Sequence, residues 1–180
     1  GNTLGQDAVL KFRTGDLAPL LYLNNQGQIG TYSAYTNTEA VIVYRNLPEI
    51  RLELHPVPLE DFIKSTAGDY WRFWESYRPA ADTVTRQWAI TGKAARNTSG
   101  VIREPLTDDA GNQLKPGIYY LLVSGALAED QRPPRQLIIR TDLNVTLKAS
   151  AEDALAWVTD LKTGLPVAGA TVRFTDNGKI

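Results

Sequence analysis

The chain has 180 residues, 43% apolar and 22% charged, a composition that can pack a core and that argues against disorder. Its 19 basic and 20 acidic side chains leave a net charge of −1, so no electrostatic footprint for nucleic acid or an anionic membrane is present. No apolar run is long enough to cross a bilayer as a helix, and the lack of cysteine removes disulfides, thiol nucleophiles and cysteine-based metal sites.

This length suits one full domain, or one domain with part of a second. The chain has no methionine and opens on Gly1-Asn2-Thr3, with neither the basic nor the apolar stretch of a signal peptide. The expectation is a segment of a longer protein.

Residues 1–16 are weakly patterned and read as a leader or linker, although Val9 to Phe12 could form a strand. Pro19-Leu-Leu-Tyr-Leu23 followed by Asn24-Asn25-Gln26-Gly27 reads as a strand and its turn. Residues 29–44 are rich in Tyr, Thr, Val and Ile, are interrupted at Asn37, and resume as Ala40-Val-Ile-Val-Tyr44. Beyond the Asn46-Leu-Pro48 turn, Ile50, Leu52 and Leu54 alternate with Arg51, Glu53 and His55. This period of two predicts one buried and one wet face.

At Pro56 the period changes. Leu59, Phe62 and Ile63 have helical spacing, and Glu60 and Asp61 fall where a helix start favours negative charge. Gly68 interrupts, and the aromatic run from Tyr70 to Tyr77 predicts a second short helix before Arg78-Pro79. The pattern then returns to strands. They are predicted at 83–90, at 101–106 before an Asp108–Asn112 turn, at 116–124, and at 136–141 after a polar loop.

Short strands separated by turns indicate an antiparallel β-sandwich with a helical insertion. The last quarter holds further apolar runs at 143–147, 154–158 and 170–174, with Gly and Pro punctuating 160–169. That is where one β-domain ends and another begins.

Few residues invite chemistry. His55 is the sole histidine and is expected on the outward strand face beside Pro56 rather than in a metal or acid–base site. Asp108-Asp-Ala-Gly-Asn112 lacks the alternating ligands and closing Glu of a calcium loop and reads as a turn. Asp176-Asn-Gly178 reads as a hairpin connection. Asn97-Thr-Ser99 and Asn144-Val-Thr146 match the N-glycosylation pattern. Gly27-Gln-Ile-Gly30 lacks the context of a nucleotide site. The aromatic cluster Tyr70, Trp71, Phe73, Trp74 and Tyr77 has two readings. It is either the apolar side of an inserted helix, the favoured one, or a surface for another domain, a protein or a carbohydrate.

Several stretches resemble the bacterial α2-macroglobulins, long extracytoplasmic chains of successive macroglobulin (MG) domains. Residues 142–150 with Ala154-Leu-Ala-Trp-Val-Thr-Asp-Leu-Lys-Thr-Gly-Leu-Pro-Val-Ala-Gly-Ala-Thr-Val look like the start of an MG domain. Leu114-Lys-Pro-Gly-Ile-Tyr-Tyr-Leu-Leu-Val and residues 52–63 resemble parts of the domain before it. The resemblance covers about 17–179. It implies a seven-stranded fibronectin-like MG domain at 17–141 and the opening strands of the next at 142–180. It also implies a non-catalytic scaffold role in a protease trap, with neighbouring MG domains as partners and target proteases as partners of the parent. No cofactor is implied, and the parent would be periplasmic or at the cell surface, a lipid anchor being one option. The thioester found in many members needs a cysteine, so it cannot lie here. The competing reading is an Ig-like surface module that binds carbohydrate or protein through residues 70–77.

Overall fold

The computed structural model describes residues 5, 9–24, 27–65 and 69–174; the side chains of Tyr70, Trp71 and Ala81 are outside that description. The Gly68 interruption and the Asp176–Gly178 turn also lie outside the described residues.

Among the described residues, eight strands build a sandwich. β1 (Leu20–Leu23), β3 (Glu39–Arg45) and β6 (Ser99–Pro105) form one sheet in the order β1-β3-β6. β2 (Ile29–Ser33), β4 (Glu49–Pro56), β5 (Arg86–Thr91), β7 (Gly117–Gly125) and β8 (Arg135–Thr141) form the other, in the order β2-β8-β7-β4-β5. Between the sheets lies a core that joins Ala40, Ile42 and Tyr44 of β3 to Ile50, Leu52 and Leu54 of β4, Leu121 and Val123 of β7, and Ile138 of β8. The period-two reading of β4 is therefore correct for its inner face: Ile50, Leu52 and Leu54 are all fully buried.

Two features differ from the expectation. Among the described residues the two sheets hold eight strands where the resemblance implies seven, and their pairings are not all antiparallel, because β2 runs parallel to β8 with Ile29 beside Leu137 and Ser33 beside Thr141. Periodicity identifies a strand and its faces, but holds nothing about the direction of a partner far along the chain. The strand predicted from Thr83 also begins later, at Arg86, since Ala81–Thr83 close a 3-10 turn.

The outer face of the five-stranded sheet is covered as well. β7 sends Leu121 and Val123 inward, while Ile118, Tyr120 and Leu122 point to a second cluster with Val57, Trp74 and Leu137. The covering elements are α1 (Leu59–Ser65) and α2 (Tyr70–Ser76), which the sequence placed well. Leu59 does not join this packing and is 55% exposed; Phe62 carries the apolar face of α1 instead.

His55 is the clearest correction. It lies opposite Tyr120 in the β4–β7 register, so it does point outward, as the alternation implied. Yet that face is roofed by the helices, and His55 is only 6% exposed. Its Nε2 lies 3.6 Å from a Glu53 carboxylate oxygen.

β9 (Leu143–Ala149) and β10 (Ala154–Asp160) pair antiparallel in a sheet of their own, and no strand of the sandwich pairs with them. In their register Leu143, Val145 and Leu147 share a face with Ala156 and Val158, but Val145 and Leu147 are each 54% exposed. The strand expected at 170–174 is irregular in the structure. Residues 9–19 likewise form no strand; their end is held to the loop ahead of β6, where the Arg96 guanidinium Nε lies 2.6 Å from Asp16 Oδ1.

Candidate functional site

The aromatic insert is mounted from both ends. Asp69 caps α2, its side chain accepting a hydrogen bond from the Arg72 amide at 3.2 Å. At the other end the terminal carbonyls of the helix find side-chain donors: the Tyr120 hydroxyl donates to Trp74 O at 3.2 Å, and Arg135 Nη1 donates to Glu75 O at 2.6 Å. Arg132 adds an exposed ion pair to the Glu75 carboxylate at 3.2 Å, so the 126–134 loop is tied to the insert.

Trp74 sits at the centre of the cluster. Its ring is stacked on Tyr120 (centroids 6.1 Å apart) and meets Phe73 and Tyr77 edge-on, both at 5.0 Å. Only 4% of it is exposed. Phe73 and Tyr77 are half-buried, and Tyr77 links the two helices by donating its hydroxyl to Asp61 Oδ2 at 3.1 Å. Burial, reinforced by Asp61, pushes the Tyr77 phenol up to about 12. Of the five residues singled out in the sequence, the structure thus brings three into one packed cluster; the side chains of Tyr70 and Trp71 are outside the description.

The other candidate motifs are structural. Asp108 accepts from the Asn112 backbone amide at 2.8 Å and from the Asn112 side chain at 3.1 Å, and Gly111 adopts a φ of 81° between them. Both carboxylate oxygens are engaged inside the turn, which is the turn reading. Asn97 has a φ of 63° and accepts from the Leu17 amide at 2.9 Å while its own amide donates to Asn46 Oδ1 at 2.7 Å. Its side chain is part of the mount for the leader.

A second site went unnoticed in the sequence. Thr141 ends β8 and Leu143 begins β9, so a single residue, Asp142, joins the sandwich to the hairpin. Beside it the loop from Ala34 to Thr38 projects Tyr35, whose hydroxyl donates to Asp160 Oδ2 at the end of β10. Asp160 Oδ1 meanwhile caps the following turn, accepting from the Thr163 amide at 2.7 Å and the Lys162 amide at 3.1 Å. The ammonium of Lys162 lies 5.7 Å from the centre of the Tyr35 ring. Nothing in the composition of residues 34–38 announces this contact, although Asp160-Leu-Lys-Thr-Gly164 does carry the signature of an Asp-capped turn.

The Tyr35 hydrogen bond, together with those from Thr163, holds the Asp160 carboxyl down at about 2, and the same carboxylate drives the Tyr35 phenol up to about 12. For Asp160, a lowered value means that its contribution is complete above the ordinary 3.8 and is lost as pH falls through about 2. For Tyr35, a raised value means a contribution complete below 10 and lost as pH rises through about 12. Carbon-detected NMR titration of the side-chain carboxyls should find Asp160 still ionised at about pH 3, where an aspartate at the ordinary value of 3.8 is largely protonated.

Neither family models nor curated protein sequences match this chain. Its fold is similar to solved structures of bacterial α2-macroglobulin segments that contain MG domains. The native Escherichia coli protein spanning domains MG0-NIE-MG1 superposes with a TM-score of 0.63 over 87% of this chain, at 16% identity. The chain spans 50% of the length of that segment. The shorter E. coli segment NIE-MG1 gives 0.62 over 86% of this chain and 75% of that one, at 15% identity. Salmonella α2-macroglobulin reacted with methylamine gives 0.57 at 14% identity over 81% of this chain, which is 8% of that much longer protein.

Proposed function

We propose that the chain is a non-catalytic scaffold segment of a bacterial α2-macroglobulin-like protein, extracytoplasmic and part of a protease trap. The observation that carries this reading is the match in fold to the E. coli segments over 87% and 86% of the chain. In this reading 17–141 is one complete domain and 142–180 opens the next, whose remaining strands would cover the apolar face of β9 and β10. A two-stranded hairpin has too little core to stand alone, and the half-exposed Val145 and Leu147 fit a sheet that awaits its partner. Residues of the insert that stay partly exposed, Phe73 and Tyr77, are available to a neighbouring domain; Trp74 is not. Its burial against Tyr120 also weighs against a glycan-stacking surface at 70–77.

The test is to express the complete reading frame that contains this chain and challenge it with a general endoprotease. The expected result is a single limited cleavage outside residues 1–180, followed by retention of the protease in a complex that still turns over small peptide substrates. Uniform degradation without retention would overturn the trap reading. A frame that ends near Ile180, with the purified chain binding a glycan array, would overturn the scaffold reading altogether.

A further inference from the structure

We propose that the loop at residues 34–38 is a latch that fixes the angle between the sandwich and the β9–β10 hairpin, with Tyr35 as the bolt and Asp160 as the catch. This inference stands on the geometry of the junction and holds whether or not the parent traps proteases.

Three observations converge on it. The connection is one residue long, and both its flanks are hydrogen-bonded: the Ala34 amide donates to Thr141 O at 2.8 Å, and the Leu161 amide donates to Asp142 O at 2.8 Å. Thr141 Oγ1 accepts from the Leu143 amide at 3.0 Å, tightening the turn between the units. A link this short leaves only a few backbone angles free, so one extra contact can select a single orientation.

The loop itself is held rigid from below. Arg140, only 2% exposed, extends from the inner face of β8 and donates Nη2 to Ala34 O at 2.8 Å and Nη1 to Thr38 Oγ1 at 3.2 Å. It therefore grips both ends of the loop that carries Tyr35. Among the described residues its buried Nε has no hydrogen-bond partner, and no carboxylate forms an ion pair with it. Burying a guanidinium on such terms opposes folding. Opposite it in the β7 register stands Gly117, whose missing side chain would meet the Tyr119 ring. The loop it sets in place is the only part of the sandwich sequence whose side chain bonds to β10 among the described contacts.

The third observation is the catch. Asp160 divides its two oxygens, Oδ1 to its own turn and Oδ2 to Tyr35, so the turn that closes β10 and the bond to the sandwich are formed by one side chain. Lys162 on that turn lies over the Tyr35 ring and adds a second contact that survives loss of the hydroxyl.

The chain has no native cysteine, so a pair of nitroxide labels can be placed without background. One goes at exposed Thr91 on β5, the other at exposed Lys148 on β9. In the native chain, pulsed electron spin resonance should return one narrow distance distribution. Tyr35→Phe and, independently, Asp160→Asn should each broaden it at least twofold while the melting temperature of the sandwich stays within a degree or two. The carboxamide introduced by Asp160→Asn keeps an oxygen to accept from the 162–163 amides, so the turn is retained in that variant. Tyr22→Phe, on β1, should leave the distribution narrow. A distribution already broad in the native chain, or one unchanged in both variants, would overturn the latch.

Discussion

Trp74→Ala should destabilise the sandwich by about 3–5 kcal/mol, the range for deleting a buried indole, and should do so in one cooperative transition. Trp74 is the ring on which Phe73, Tyr77 and Tyr120 converge, and Tyr120 lies on β7, at the middle of the five-stranded sheet. Its loss opens a cavity between the helices and the sheet and exposes His55, which lies opposite Tyr120 beneath that cover. Urea unfolding followed by far-ultraviolet circular dichroism measures the effect without relying on the deleted fluorophore. A cost under about 1 kcal/mol would mean that the insert is a detachable ornament, since surface substitutions usually stay within about ±0.5 kcal/mol.

The second large effect comes from one chemical change made at two places. Leu52→Ala removes a side chain that is fully buried on β4, flanked by β7 and β5, and should cost about 2–5 kcal/mol. Leu147→Ala, on β9, removes a side chain that is 54% exposed and should change the midpoint hardly at all, within about 0.5 kcal/mol. Thermal unfolding of the two variants side by side is sufficient. Equal losses would show that the hairpin packs on the sandwich in solution and that its apolar face is covered by this chain itself.

Those two leucines also show what the sequence can and cannot convey. Leu52 and Leu147 both lie in alternating runs of β-forming residues, and nothing local distinguishes a filled core from a face without a lid. The alternation of Ile50, Leu52 and Leu54 gave the inner face because it depends only on the pleat. His55 was misjudged because its burial depends on α1 and α2, which fold back over β4 and β7 from later in the chain. The short helices were legible through the aromatic run and the acidic start; the parallel run of β2 beside β8 was not, since strand direction belongs to the tertiary fold. The junction was hardest to read. Tyr35 looks like any turn tyrosine, and Arg140 like one more charge near a strand end, until the fold brings both to the connector at Asp142. The aromatic residues, in contrast, drew notice by density alone, and the most central of them proved to be packing.

The parallel pairing of β2 with β8 bears on how this protein is made. β2 emerges early from the ribosome, and among the described strands β8, which emerges last of the sandwich, is its sole hydrogen-bonded neighbour. Until then, β2 is an unpaired edge on a nascent chain, the kind of surface on which misassembly and aggregation begin. A translational pause ahead of residue 135 would prolong that exposure, whereas a pause late enough for β8 to have left the ribosomal exit tunnel would come when the sheet can already close. Synonymous codon changes on either side of β8 should therefore differ in soluble yield, although the finished proteins are identical.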